Sequence, residues 1–330
     1  MDVYKSIQQK LFQVTENNFE SFTLDLFRYQ AINNPIYAEY INNLSLSIDN
    51  VKSLSQIPFI PISFFKDHKI RSAEWETEAI FESSGTTQGN ASKHYIRDLS
   101  LYDRSAIEAF NGFYGDLSNY HFLALLPSYL ERNNSSLIRM VDVFIQKSGS
   151  SLGGFYLDNL DDLIANLGDA RKTDRKVFLI GVSFALLDLA EHSQIDLSDA
   201  IVMETGGMKG RRKEITRQEL HNKLNDAFGT SQIHSEYGMT ELLSQAYSKG
   251  GGYFQASRLM KVILRDLNDP FDMQIPVGKT GGINVIDLAN ISSCAFIETQ
   301  DIGRIDDRGL FEVLGRFDNS DIRGCNLMFG

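Results

Sequence analysis

Short apolar runs alternate with helix-like segments through the middle of this 330-residue chain. Strand-like runs occupy residues 121–126, 177–180 and 200–203. Helix-like segments follow them, at residues 137–146, 184–190 and about 213–228. Because strands that alternate with helices form a mainly parallel sheet with both faces covered, we predict an α/β fold.

The regions on either side of this alternation differ from it. Apolar side chains recur every three or four positions in the first thirty residues, which predicts helix. Residues 57–65 are apolar but contain two prolines, which predicts a buried extended connection. After residue 258, strand-like runs at 260–264, 282–286, 293–297 and 310–314 are joined by Gly/Asp turns. We expect an α/β body with N-terminal helices over residues 1–257, and a β-rich subdomain of the same unit over residues 258–330.

Charge and cysteine content exclude several classes of protein. The chain has 32 Lys and Arg against 43 Asp and Glu, a net charge of −11, which disfavours nucleic acid and anionic membranes. No apolar run reaches the ~18 residues of a membrane span, and the N-terminus does not resemble a signal peptide. Two cysteines suffice neither for a disulfide scaffold nor for a four-Cys zinc site. We expect a cytoplasmic protein.

A segment rich in serine, threonine and glycine lies at residues 83–89. Hydroxyl groups can donate to phosphate oxygens, and glycines let backbone N–H groups approach an anion, as a triphosphate requires. An ordinary polar surface loop is the alternative. Residues 278–280, Gly-Lys-Thr, resemble the end of a Walker loop, but Met273 occupies the position of its first glycine.

Residues 235–241, Ser-Glu-Tyr-Gly-Met-Thr-Glu, form a second candidate segment. A strand at residues 232–235 is expected to lead into it. The ring of Tyr237, followed by a glycine, can present a flat face to a base. Thr240 offers a hydroxyl for phosphate and Glu241 a carboxylate for Mg²⁺. A turn with a solvated glutamate is the alternative.

Two further segments carry suitable groups. Gly206 and Gly207 follow a predicted strand and precede a helix, and ligands of parallel sheets bind at the carboxyl ends of strands. Asp301 can accept hydrogen bonds from ribose hydroxyls, and Arg316 can contact a ribose or phosphate oxygen. The alternatives are a tight turn for the glycines, and turns with a surface ion pair for Asp301 and Arg316.

In this order the segments resemble those of the adenylate-forming superfamily, and in particular the LuxE-like acyl-protein synthetases, which are related to phenylacetate-CoA ligases. The resemblance covers roughly residues 20–330. The matching segments are residues 58–61 (Pro-Phe-Ile-Pro), 64–66 (Phe-Phe-Lys), 83–87 (Ser-Ser-Gly-Thr-Thr), 204–210 (Glu-Thr-Gly-Gly-Met-Lys-Gly), 237–241 (Tyr-Gly-Met-Thr-Glu) and 315–318 (Gly-Arg-Phe-Asp). Residues 90–94, Asn-Ala-Ser-Lys-His, replace the family's Pro-Lys, which leaves the roles of Lys93 and His94 open.

The resemblance implies an acyl-CoA synthetase-like adenylating body with a β-rich C-terminal subdomain. Because the sequence ends at Gly330, we expect the mobile lid domain of acyl-CoA ligases to be lacking. The resemblance also implies activation of a carboxylic acid, typically fatty, by ATP and Mg²⁺, with transfer of the acyl group to an enzyme cysteine and then to a protein such as a reductase or carrier. Thr240 would contact the α-phosphate and Glu241 would hold Mg²⁺, while Tyr237 and the two glycines would flank adenine. The implied nucleotide contacts are Ser83, Ser84, Gly85, Thr86, Thr87, Gly206, Gly207, Glu236, Tyr237, Gly238, Asp301 and Arg316.

Cys325 is the candidate acyl acceptor. Its neighbour Arg323 would favour the reactive thiolate, and Gly324 permits many backbone conformations. An inert small residue in a terminal segment, or a buried apolar cysteine, is the alternative. Cys294, inside an apolar run, is expected to be structural, and His234 is expected to be a structural histidine.

Two other functions fit parts of the pattern. An aryl- or acyl-CoA ligase of the phenylacetate type shares the segments, but such ligases continue into a lid domain with a catalytic lysine, and no lysine follows Lys279 here. A nucleotide-binding scaffold without chemistry would need neither Thr240 nor Glu241.

Overall fold

A computed structural model describes residues 3–83, 91–126, 134–157, 159–192, 195–206 and 215–317. Within these ranges the helices are α1 (Val3–Leu11), α2 (Phe19–Asn33), α3 (Pro35–Asn43), α4 (Phe64–Asp67), α5 (Leu99–Tyr114), α6 (Ser136–Ser148), α7 (Leu160–Ala170), α8 (Ser183–His192) and α9 (Arg217–Phe228). The strands are β1 (Ile60–Pro61), β2 (Ala79–Glu82), β3 (Lys93–Ile96), β4 (Tyr120–Leu125), β5 (Gly154–Phe155), β6 (Lys176–Val182), β7 (Ile201–Thr205), β8 (His234–Tyr237), β9 (Ala246–Ser248), β10 (Tyr253–Ala256), β11 (Met260–Arg265), β12 (Thr280–Asp287), β13 (Phe296–Ile305) and β14 (Phe311–Arg316).

The described residues between 75 and 257 form one compact unit around a mainly parallel sheet. Its strands lie in the order β5-β4-β6-β7-β8-β9-β10, and the first five run parallel. Strand β9 pairs antiparallel with both β8 and β10. A separate hairpin, β2–β3, completes this unit. The α/β prediction is confirmed.

Alternation along the central strands sorts their side chains onto two faces. Leu123 and Leu179 belong to an aliphatic cluster with leucines of α7, α8 and α9. Phe122 and Phe178, one position earlier in each strand, pack on each other and on Phe110 of α5 at ring distances of 5.2–5.3 Å. Each such ring pair adds about 0.5–1.5 kcal/mol beyond the area it buries. These strands therefore form a sheet covered on both faces.

The second compact unit combines residues 1–74 with residues 258–330, as far as they are described. Strands β11, β12, β13 and β14 pair antiparallel in that order, and β1 pairs parallel with β13. The extended connection predicted at residues 57–65 is confirmed over its first part, but Phe64 and Phe65 begin α4.

The N-terminal helices pack in this second unit, whereas from the sequence we had grouped them with the α/β body. Gln30 of α2 donates to the carbonyls of Asn290 and Ile291 at 2.8 and 3.1 Å. It also accepts from the Ala295 N–H at 2.9 Å. Apolar spacing shows which face of a helix is buried, but not which remote element covers that face.

Two predicted strand positions were wrong. The run at residues 293–297 is a turn followed by a much longer strand, β13, so Asp301 lies within a strand and not in a turn. Pairing with β12 on one side and β14 on the other outweighs the turn-like composition of this segment. The strand expected at 232–235 is β8, two residues further on, so Tyr237 is its last residue.

No helix in the described ranges is both long enough and apolar enough to cross a membrane.

Candidate functional site

The serine- and glycine-rich segment lies between β2 and β3 in the sequence. We call the β2–β3 hairpin the phosphate hairpin, after the phosphate contacts predicted for this segment. The Ser83 N–H donates to the Ser92 carbonyl at 3.1 Å, and the Ser92 N–H donates to Ser83 Oγ at 3.0 Å. Ser83 therefore closes the stem of the hairpin. Ser84, Gly85, Thr86 and Thr87 lie outside the described residues, so their predicted phosphate contacts remain predictions.

His94 of β3 ties this hairpin to the second candidate segment. Its Nδ1 lies 2.9 Å from the Thr240 carbonyl oxygen, across 146 residues of sequence. Because a carbonyl can only accept, Nδ1 carries the proton and donates it. The ring is buried, and burial lowers the pKa of His94 to about 4, although the bond to Thr240 opposes this shift. His94 is thus a neutral tether, a role that the sequence left open.

Strands β7 and β8 end side by side, which brings two predicted segments together. Thr205, the last residue of β7, is aligned with Glu236 of β8. Gly206 then turns the chain with φ of 70°, a left-handed conformation that favours glycine. The expectation that Gly206 follows the carboxyl end of a strand is met, and the structure adds that the adjacent parallel strand, β8, ends at Tyr237. Gly207 lies outside the described residues.

Glu236 is half-buried at this edge of the sheet. The Thr205 hydroxyl donates to Glu236 Oε2 at 2.6 Å. Burial raises the pKa of Glu236 to about 7, the nearby Glu204 charge adds to the rise, and the Thr205 bond opposes it. A Cβ at position 238 would overlap Glu236 Oε1, so Gly238 leaves the space that this carboxyl group occupies. Direct contacts of Glu236 and Gly238 with a nucleotide remain predictions.

Thr240 and Glu241 follow β8 directly. Thr240 is half-buried and Glu241 is only 5% exposed. Among the described residues, no cluster of three or more His, Cys, Asp or Glu side chains could hold a metal ion by itself. Mg²⁺ bound with a nucleotide takes one or two protein carboxylates and completes its shell with phosphate oxygens and water. A single carboxylate next to the phosphate hairpin's tether therefore suits the predicted Mg²⁺.

Asp301 and Arg316 meet within the other compact unit. They are aligned across β13 and β14, and Arg316 Nε lies 3.5 Å from Asp301 Oδ1. The side chain of Asp301 is 13% exposed and that of Arg316 is 59% exposed. The alternative interpretation of an ion pair is met in part, because the two residues pair with each other, but they lie in paired strands and not in turns. The predicted contacts of Asp301 with ribose and of Arg316 nearby remain predictions.

Of the three other residues considered in the sequence, the structure describes His234 and Cys294. His234 Nδ1 lies 3.0 Å from the Tyr114 hydroxyl, and burial lowers the pKa of His234 to about 4, in keeping with a structural residue. Cys294 is fully buried, which raises its thiol pKa to about 12 and makes it unreactive. Cys325 lies outside the described residues.

The buried tether predicts a pH-dependent stability. The pKa of His94 falls from 6.5 to about 4 on folding, so the unfolded chain binds more protons between these values. Stability present above pH 6.5 should be lost as the pH falls towards 4, by up to about 3 kcal/mol from this residue. His94→Asn, which keeps a donor but does not titrate, should show a shallower loss in urea unfolding from pH 7 to pH 4. Equal slopes in both proteins would contradict the assignment.

One known protein family and two bacterial proteins are similar in sequence to this chain. The family described as "Acyl-protein synthetase, LuxE" matches residues 162–330. The long-chain-fatty-acid–luciferin-component ligase of Aliivibrio fischeri is 22% identical over an alignment of 318 positions, and the match covers 90% of this chain and 81% of the relative. The ligase of the same name from Vibrio harveyi is 23% identical over an alignment of 333 positions, and the match covers 91% of this chain and 84% of the relative.

Solved structures share the fold at low sequence identity. A 2-hydroxyisobutyryl-CoA ligase superposes with a TM-score of 0.66 at 12% identity, over 96% of this chain and 70% of that one. ATP-bound MatB from Rhodopseudomonas palustris superposes with a TM-score of 0.56 at 17% identity, over 73% of this chain and 48% of that one. MenE from Bacillus subtilis with AMP has a TM-score of 0.53 at 17% identity, over 74% and 50%. The chain thus spans about half the length of MatB and MenE, and shares the fold of adenylate-forming ligases.

Proposed function

Because the chain belongs to the LuxE acyl-protein synthetase family, a family of ligases, we propose that it activates a long-chain fatty acid with ATP and Mg²⁺. The acyl group then passes to Cys325 and from there to an acyl-accepting protein. The names of the two bacterial relatives, both long-chain-fatty-acid ligases, support the class of acid. Structures of related fold hold ATP, and one holds ATP with magnesium, which supports the nucleotide and the ion.

The hydrogen bond between His94 and the Thr240 carbonyl carries this proposal. It joins the stem of the phosphate hairpin to the segment that offers a hydroxyl and a carboxylate. A triphosphate with its metal ion needs such groups close together, although they are far apart in sequence. A polar surface loop and an unrelated turn would need no buried tether between them.

Each group of residues has a distinct role in the first step. Ser83, Ser84, Gly85, Thr86 and Thr87 hold the β- and γ-phosphates, and Thr240 contacts the α-phosphate. Tyr237 and the Gly206–Gly207 turn flank adenine, while Asp301 binds the ribose and Arg316 assists nearby. Glu241 holds Mg²⁺, which when bound offsets negative charge on the phosphate oxygens.

Formation of the acyl-adenylate and transfer of the acyl group to Cys325 need only the acid, ATP and the Cys325 thiolate as reactants. A carboxylate oxygen of the acid bonds to the α-phosphorus, the bond from that phosphorus to the bridging oxygen breaks, and pyrophosphate leaves. Hydrogen bonds to the oxygens that gain negative charge in this step stabilise the transition state and so lower the barrier. The Cys325 thiolate then bonds to the acyl carbon, and AMP leaves with the electron pair of the broken bond.

Exchange of labelled pyrophosphate into ATP tests the first step directly. Exchange should depend on added acid and should be fastest with long-chain fatty acids in a panel that includes aryl and short-chain acids. If none of the acids supports exchange, whether the protein is tested alone or with candidate acceptor proteins, the result would contradict the proposal and favour a scaffold without chemistry. Formation of a CoA thioester in the same mixture would instead indicate a CoA ligase.

A further inference from the structure

Glu204 is a buried charge at the end of β7, directly before Thr205 and Gly206, with only 5% of its surface exposed. Burial by itself would raise the pKa of Glu204. The His221 and Arg217 side chains and the Ser235 hydroxyl outweigh burial and hold the pKa of Glu204 below its ordinary value. Arg217 Nε lies 3.4 Å from Glu204 Oε1, and His221 Nε2 lies 3.6 Å from the same oxygen. The carboxylate therefore stays ionised and paired.

One oxygen of this carboxylate, Oε2, is connected to the Gly206 turn through Ser183. Ser183, the first residue of α8, places its hydroxyl 3.3 Å from Glu204 Oε2 and 2.7 Å from the Gly206 carbonyl oxygen. Both oxygens can only accept, so the single Ser183 proton is shared between them. The hydrogen bond from Ser183 fixes the direction of the Gly206 carbonyl. Ser183 thus couples the carboxylate to the turn.

The other oxygen of Glu204, Oε1, is connected to Tyr237 through Arg217 and Phe254. The Arg217 guanidinium, paired with Glu204, lies over the Phe254 ring at 5.0 Å from its centre. The Phe254 ring packs against the Tyr237 ring with 5.9 Å between their centres. A guanidinium over an aromatic face is attracted to it, and the pairing with Glu204 limits where the guanidinium can lie.

We propose that Glu204 is a positioning residue that holds both adenine-flanking groups, the Gly206 turn through Ser183 and the Tyr237 ring through Arg217 and Phe254. This role rests on the proposed function, which assigns those two groups to adenine. Glu204 itself does not touch the nucleotide. Its loss should therefore weaken recognition of the nucleoside part of ATP and leave recognition of the phosphates intact.

Glu204→Gln tests this by keeping the size of the side chain while removing its charge. Inhibition of exchange by adenosine and by inorganic tripolyphosphate separates the nucleoside and phosphate parts of the site. The inhibition constant for adenosine and the KM for ATP should rise about tenfold, the usual scale for a lost charged hydrogen bond. The constant for tripolyphosphate should not change, and kcat at saturating ATP should stay within about twofold.

Two further variants keep the test decisive. Ser183→Ala removes only the link to Gly206 and should raise the adenosine constant about threefold in a folded protein, even if Glu204→Gln fails to fold. Asp103→Asn breaks another partly buried ion pair of the same unit, with Arg139 at 2.6 Å, and should leave both inhibition constants unchanged.

Unchanged adenosine inhibition in Glu204→Gln and Ser183→Ala, or equal losses for adenosine and tripolyphosphate, would overturn the positioning role. Calorimetric titration of the unaltered protein with MgATP distinguishes a failure of the Glu204 role from a failure of the proposed function. No binding there would refute the proposed function, and the role of Glu204 with it. Binding with an unaltered response in both variants would refute only the role of Glu204.

Discussion

Replacing Glu241 by alanine should reduce acid-dependent ATP–pyrophosphate exchange by roughly 100-fold or more, the scale of losing one charge-stabilising group at a reacting centre. The carboxylate is buried directly after Thr240, whose carbonyl receives the His94 tether. Without it Mg²⁺ has no protein carboxylate at this position. Initial rates of exchange with a long-chain fatty acid, measured across a range of Mg²⁺ concentrations, would provide the result.

Two variants control this experiment. Glu241→Asp keeps a carboxylate and should recover part of the exchange, most visibly at high Mg²⁺. Glu219→Ala removes a carboxylate of an exposed pair on α9, 3.7 Å from Lys223, and should leave exchange unchanged because such pairs contribute little. Full exchange by a folded Glu241→Ala protein would refute the metal-holding role.

Replacing Cys325 by serine should leave exchange intact and remove covalent labelling of the protein by a radiolabelled fatty acid. Exchange needs only the first step, whereas labelling needs a nucleophile. A serine hydroxyl does not ionise at neutral pH and is a weak nucleophile without an adjacent base. Labelling should fall by about 100-fold or more, and label on the unaltered protein should be released by hydroxylamine, as for a thioester.

The other cysteine provides the matched control. Cys294 is fully buried and its thiol pKa is raised to about 12, so Cys294→Ser should keep its label. Labelling that persists in Cys325→Ser would exclude Cys325 as the acceptor. Loss of exchange together with labelling in that variant would mean that Cys325 acts before the acyl transfer.

The α/β unit was predictable because its signals are local. Runs such as residues 121–126 and 177–180 are apolar enough to be recognised as buried strands, and the helices between them have the right spacing. The antiparallel unit was less predictable. Strand β13 contains Gln300, Asp301 and Gly303, a composition typical of turns, and pairing on both edges makes it a strand.

The candidate site divides in the same way. Tyr237, Thr240 and Glu241 stand out in the sequence because an aromatic ring, a hydroxyl and a carboxylate follow one another within a few positions. His94 does not stand out, since it acts through a partner that is remote in the chain. Glu204 gives only one signal, a charged residue at the end of an otherwise apolar strand, and its partners are also remote in the chain.

Residue types and their spacing were enough to predict an α/β chain, and the resemblance of its short motifs to those of the adenylate-forming superfamily indicated the kind of α/β fold, since apolar periodicity and short motifs are properties of neighbouring residues. Packing alone decides that His94 joins the phosphate hairpin to Thr240, that Glu204 stays ionised, and that residues 1–74 lie against the C-terminal strands. These outcomes depend on which distant groups share a buried space. Burial sets both the strength of a hydrogen bond and the pKa of its partners, and no linear pattern specifies which groups are buried together.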